Sequence, residues 1–297
     1  MNLNNYRNMK VKEIFEPMKS MALVMVANCV VAACQSELTY EDDGDTESEK
    51  VEVVFDLKTD DKAKTRTIDL ADVDGLSLVM MRVMNERHDD RITCTDGNYG
   101  KMTFRVPLGL YNVHAVATDA PDYEFDEDFI VLPNGGNIWY ARTELNVRDT
   151  GKEMVVPVEL KRMNSKIVVT PLDEIPENCK SITMTVKYGD DTMGTVGGGI
   201  LQDKILSKTI EIPESYKGTI GKLSISMYTL LRYFISSVTL GIQATDEDGA
   251  VIGKIENYTV TIKRNQQAYI KGYLFSSKVS GGTTIEYDWD DNIIYQW

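Results

Sequence analysis

Histidine is scarce in this chain, with two in 297 residues beside four cysteines and eight prolines. His88 and His114 have no partner histidine at metal-ligand spacing, and no HExxH, CxxC, GxSxG or P-loop is present. Zinc hydrolysis, dithiol chemistry and serine-hydrolase chemistry therefore have no motif to stand on, and the residues point away from an enzyme. The run Val196-Gly197-Gly198-Gly199 is glycine-rich but lacks the following lysine of a phosphate cradle, and reads as a mobile loop. Clusters such as Asp126-Glu127-Asp128 and residues 288–291 offer paired carboxylates for glycoside chemistry. In a chain with 46 acidic residues they read more simply as solvated faces. Positive charge is also in deficit: 32 lysines and arginines leave a net charge of -14 and a pI near 4.7. Without a basic block no nucleic-acid partner is expected, and neither is a cofactor or metal.

The apolar run of residues 21–33 is too short to span a bilayer. It has 13 residues, interrupted by Asn28 and Cys29, where a spanning helix needs ~20 and a secretory h-region about 7–15. Arg7, Lys10, Lys12 and Lys19 precede it, so residues 1–33 read as a signal peptide, with Met9 or Met18 as alternative starts. Its end, Val31-Ala32-Ala33-Cys34, resembles the bacterial lipobox, in which the cysteine after a small-residue cleavage site is acylated. The competing reading is a core helix ending in a buried cysteine; the basic flank and the polar stretch after Cys34 argue against it. Lipid on Cys34 would hold the chain at a membrane. Residues 34–50 then form an acidic, solvated tether, whose DDGD lacks the remaining positions of an EF-hand. Cys29 leaves with the signal. Cys94 and Cys179 are expected as free thiols, although export would permit a disulfide between them.

From residue 51 the pattern has period two. Val51, Val53, Phe55 and Leu57 alternate with Glu52, Val54 and Asp56, which suits a half-buried strand. β-rich runs recur at 76–83, 101–106, 111–117, 128–132, 138–147 and 153–160, separated by turn residues such as Asp74-Gly75 and Pro133-Asn134-Gly135-Gly136. A second series follows at 166–169, 181–187, 208–212, 222–228, 237–245, 251–255, 258–263 and 267–275, with Asp248-Gly249 as a hairpin signal and 228–235 as an alternative short helix. Two such series predict an all-β chain of two sandwiches in tandem, residues 51–161 and 162–297. No Pro/Gly linker separates them at Lys161-Arg162-Met163-Asn164, so they are expected to abut.

The stretch from Val156 to Val169, with its Lys161-Arg162 pair between two strands, resembles the domain junction of fimbrillin-type proteins, the subunits of type V pili. The lipobox cysteine, the 51–57 strand with the basic segment Lys58 to Arg66 behind it, the stretch Arg264 to Ile270 and the closing Asp288-Trp289 and Trp297 extend the resemblance. The resemblance implies two transthyretin-like β-sandwich domains and a structural role as a shaft or anchor lipoprotein. It also implies an outer-membrane or cell-surface location, with other fimbrial subunits as partners. In shaft subunits of that family an arginine-specific protease removes the first strand and a neighbour's strand refills the groove. Here 51–57 would be that strand and Arg66, in an expected exposed loop, the processing point. An ordinary first strand with a basic loop after it is the plainer alternative. Residues 283–297, with Ile285, Tyr287 and Trp289 on one face, read either as a donor strand for a neighbour or as an edge strand of their own domain. A reading from another class is a monomeric surface lipoprotein that binds glycan or host protein, with Tyr123, Phe125, Trp139 and Tyr140 as a stacking platform. Such aromatics are more often core residues.

Overall fold

In β1 (Lys50–Asp61) the side chains of Val53, Phe55, Leu57 and Thr59 are at most 3 % exposed, so the alternation read from the sequence lies on a core. The computed structural model describes residues 50–276 apart from 62–65, 71, 72, 74, 96, 98, 127 and 149–152. Among them β1 lies between β5 (Lys101–Pro107) and β10 (Met154–Arg162), antiparallel to the first and parallel to the second. Facing this layer is a second one in the order β4 (Asp89–Cys94), β3 (Leu78–Met84), β6 (Gly109–Thr118) and β9 (Ile138–Val147). Phe55, Leu57, Met81, Phe104, Val113 and Leu160 fill the space between the layers. β10 and β9 also meet edge to edge at Lys161↔Tyr140 and Arg162↔Trp139, closing one side.

The second half repeats this plan strand for strand. β11 (Asn164–Pro171) lies between β15 (Ile225–Leu230), antiparallel, and β18 (Gln267–Gly272), parallel. The facing layer runs β14 (Lys204–Glu211), β12 (Cys179–Gly189), β16 (Ile235–Asp246) and β17 (Val251–Lys263). Ile167, Ile182, Val186, Leu240 and Ile270 are among the residues of its core. In each half the first strand of the sandwich is central in the three-stranded layer and parallel to the last. The all-β, two-sandwich expectation therefore holds.

The chain passes from β10 into β11 through Met163, and polar groups fix the corner. The Asn164 carboxamide accepts the Ile138 N–H at 3.2 Å and donates to the Gly136 carbonyl at 2.7 Å; the Asn265 N–H donates to the Asn164 carbonyl at 3.0 Å. Arg162 stacks over Trp139 at 5.2 Å. A small sheet of β7 (Glu124–Phe125), β8 (Phe129–Val131) and β13 (Thr192–Gly194) draws on both halves. Beneath it Leu78, Met80, Val116 and Ile130 of the first half pack with Met193 and Leu230 of the second.

Several local expectations change. β4 lies outside every β-rich run read from the sequence, because its Asp-Asp-Arg-Ile-Thr-Cys carries charge; it is an edge strand, where charge opposes further pairing. The runs 251–255 and 258–263 are one strand, β17, which absorbs Asn257 at φ 55° with a register shift against β16. Residues 228–235 form no helix: β15 ends at Leu230 and β16 opens at Ile235. Cys179 is a buried free thiol, as expected. Cys94 and Cys179 do not bridge because each belongs to the core of a different sandwich.

Candidate strand-exchange site

β1 is the structural unit on which a subunit-exchange role would rest. Its register with β10 runs from Val53↔Met154 to Thr59↔Leu160, and with β5 from Lys50↔Pro107 to Asp56↔Lys101. The Leu57 N–H goes to the Gly100 carbonyl at 2.9 Å, and the Thr59 hydroxyl donates to the Leu160 carbonyl at 3.2 Å. Phe55 meets Phe104 edge to face, with centroids 5.6 Å apart and planes at 88°. Taking β1 away would leave two rows of unpaired backbone groups, on β5 and β10, and a slot lined by the pockets of Val53, Phe55 and Leu57. An extended segment with alternating apolar side chains is what such a slot can bind.

β11 occupies the same place in the second sandwich but continues directly from β10. β1 is joined to the rest of the described chain only through residues 62–65, which lead into β2 (Arg66–Asp69). One cut there separates β1 from the body it completes. Arg66 opens β2, its backbone paired with Asp61, so it lies in a hairpin strand and not in the open loop expected. The pairing of β2 back onto the end of β1 is local, but its four residues carry no strand pattern of their own. Cys34, Ile285, Tyr287 and Trp289 lie outside the described residues.

The aromatic platform weighed as a glycan site is taken up elsewhere. Trp139 is 4 % exposed inside the first sandwich and Tyr140 is 9 % exposed on the opposite face of β9, while Tyr123 and Phe125 are partly buried against the Met193 and Leu230 cluster. Arg91 also lies over the Phe125 ring at 5.7 Å. These four rings therefore form no single exposed platform. His114, on the face of β6 turned away from the first core, is 3 % exposed, because the glycine-rich turn 196–199 covers that face. That turn is not an open loop: a Cβ on Gly198 would stand 2.7 Å from two carbons of the Tyr140 ring.

No family model matches the sequence, and no curated protein matches it. Solved structures do. A candidate polysaccharide-binding protein from Bacteroides thetaiotaomicron superposes with a TM-score of 0.53 at 14% identity, covering 82% of this chain and 98% of its own. A candidate adhesin from the same species gives 0.50 at 12% identity, covering 84% and 100%. This chain has the fold of those two proteins. The fimbrial anchor protein Mfa2 from Porphyromonas gingivalis is matched at 0.47 and 10% identity, over 70% of this chain and 82% of its own.

Proposed function

We propose that this protein is a structural subunit of a cell-surface fimbria that supports adhesion, with no enzymatic role. It is exported as a lipoprotein, held at the outer membrane through Cys34, and joined to other fimbrial subunits by strand exchange. The observation that carries this reading is the position of β1: central in its layer, bearing three fully buried apolar side chains, and linked to the described body at one end only. The shared fold with an adhesin-type structure supports it. In this reading a segment such as 283–297 of a neighbour, presenting Ile285, Tyr287 and Trp289 at spacing two, replaces β1 between β5 and β10.

The test is made on protein whose β1 has been released by a protease site placed in residues 62–65. Synthetic peptide 50–61 serves as the control that the emptied slot is intact. Binding of peptide 283–297, with recovery of the thermal transition, is the expected result. A slot that accepts peptide 50–61 and refuses 283–297 would overturn the donor assignment. Loss of membrane association in Cys34→Ser checks the anchor separately.

A further inference from the structure

A row of four basic side chains crosses the first sandwich. The register places Arg91 opposite Arg82, Arg82 opposite His114 and His114 opposite Arg142, on β4, β3, β6 and β9 in turn. Directly opposed residues share a face, so the four point the same way, toward the second sandwich. Arg82 is neutralised: Asp89 takes it through both oxygens, and Asp128 lies 3.4 Å away. Arg142 is exposed and donates to the Asn112 side chain at 3.0 Å. Arg91 stacks on Phe125. His114 is buried between two permanent cations.

What covers His114 comes from the other half of the chain. The Gly197 N–H approaches Nδ1 at 3.4 Å, and the Tyr140 hydroxyl lies 2.8 Å from the same nitrogen. With the proton of the neutral ring on Nε2, Nδ1 accepts from the Tyr140 hydroxyl and faces the Gly197 amide, which also reaches the Tyr140 oxygen. Gly197 and Gly198 hold φ of +85° and +60°, a backbone open to glycine, and Gly198 lies flat against the Tyr140 ring. The turn is thus seated by three small elements: a bare backbone, a phenol and a neutral imidazole.

We propose that His114 is an acid-sensitive latch between the two sandwiches, holding the 196–199 turn on the first sandwich while neutral and releasing it when protonated. Protonation would turn Nδ1 from acceptor into donor, opposing the Gly197 amide and competing with it for the Tyr140 oxygen. It would also place a third positive charge between Arg82 and Arg142. Of the acids near by, Asp89 is engaged by Arg82, as is Asp128, and the 196–199 turn brings no charged side chain. Burial and the flanking Arg142 and Arg82 hold the imidazole below its ordinary value of 6.5. β13 stays paired with β8 throughout, and the Thr195 N–H keeps the Asp128 carbonyl at 2.9 Å, so the opening is confined to the turn. The inference does not depend on strand exchange.

The experiment follows the His114 ring and the Gly197 to Gly199 amides by NMR across a titration from about pH 7.5 to about pH 4.5. We expect the ring to titrate with a midpoint below 6.5. The glycine amides should move with that midpoint, and their protection against exchange should fall by about tenfold or more over the same step. His114→Asn keeps an acceptor near the position of Nδ1 and cannot titrate; in it the amides should stay protected throughout. A ring midpoint at or above the ordinary value would overturn the proposal. So would glycine amides indifferent to ring protonation in the wild-type protein, a result that does not rely on the variant folding.

Discussion

Replacing Phe55 by alanine tests whether β1 is held in the core of the protein in solution as it is in the structure. The ring is fully buried, flanked by paired strands on both sides, and makes an edge-to-face contact with Phe104. Phe→Ala in a core costs about 3–5 kcal/mol, from lost transfer free energy and a cavity that the surroundings fill only in part. Here the upper part of that range is expected, because a strand hydrogen-bonded along both edges cannot move inward to close the gap, and the aromatic pair adds roughly 0.5–1.5 kcal/mol. With a urea m-value of about 2 kcal/mol/M, the midpoint of the first sandwich should fall by about 2 M. Val155→Ala, at a position 60% exposed on the neighbouring β10, is the control and should stay within about 0.5 kcal/mol of wild type. A Phe55→Ala cost below about 1 kcal/mol would refute the reasoning, since it would mean that the pocket is empty or already open to water in solution.

Four further outcomes follow from particular contacts. Gly198→Ala meets the Tyr140 ring and a positive φ together, and should lower stability by about 1–3 kcal/mol in a thermal melt. The Asp173 carboxylate accepts the N–H groups of Leu274, Phe275 and Ser276, so Asp173→Ala should accelerate hydrogen exchange at those three amides while β11 and β16 stay protected. Because folding lowers the His114 pKa, the unfolded chain binds a proton that the folded one refuses. The stability is fully present above the ordinary value of 6.5 and is lost as pH falls from there toward the folded pKa, an effect that His114→Asn should remove from a pH series of urea midpoints. Cells fed labelled palmitate should yield labelled wild-type protein and unlabelled Cys34→Ser, with the variant moving out of the membrane fraction. Equal labelling of both would place the lipid elsewhere.

Local alternation was enough to find β1, β5, β6, β9 and β10, because a strand with one face on a core must repeat every second residue, and that rule acts within five or six residues. The Asp248-Gly249 turn was legible for the same reason: the backbone of Asp246 to Val251 closes on itself, with Gly249 at φ +81°. The weak point was whatever depends on a distant partner. β4 carries charge because it lies at a sheet edge, and only the assembled sheet says which strand that is. The parallel pairing of Val53 with Met154 joins residues a hundred positions apart, and nothing in either strand names the other. Trp139 and Tyr140 are neighbours on opposite faces of β9, so alternation predicts that one should be solvated. Both are buried because the second sandwich covers the outer face. His114 shares its face with arginines of the neighbouring strands, a pairing only the folded sheet reveals. Its burial was decided by a glycine turn 83 residues away, which reaches it only once both sandwiches are folded.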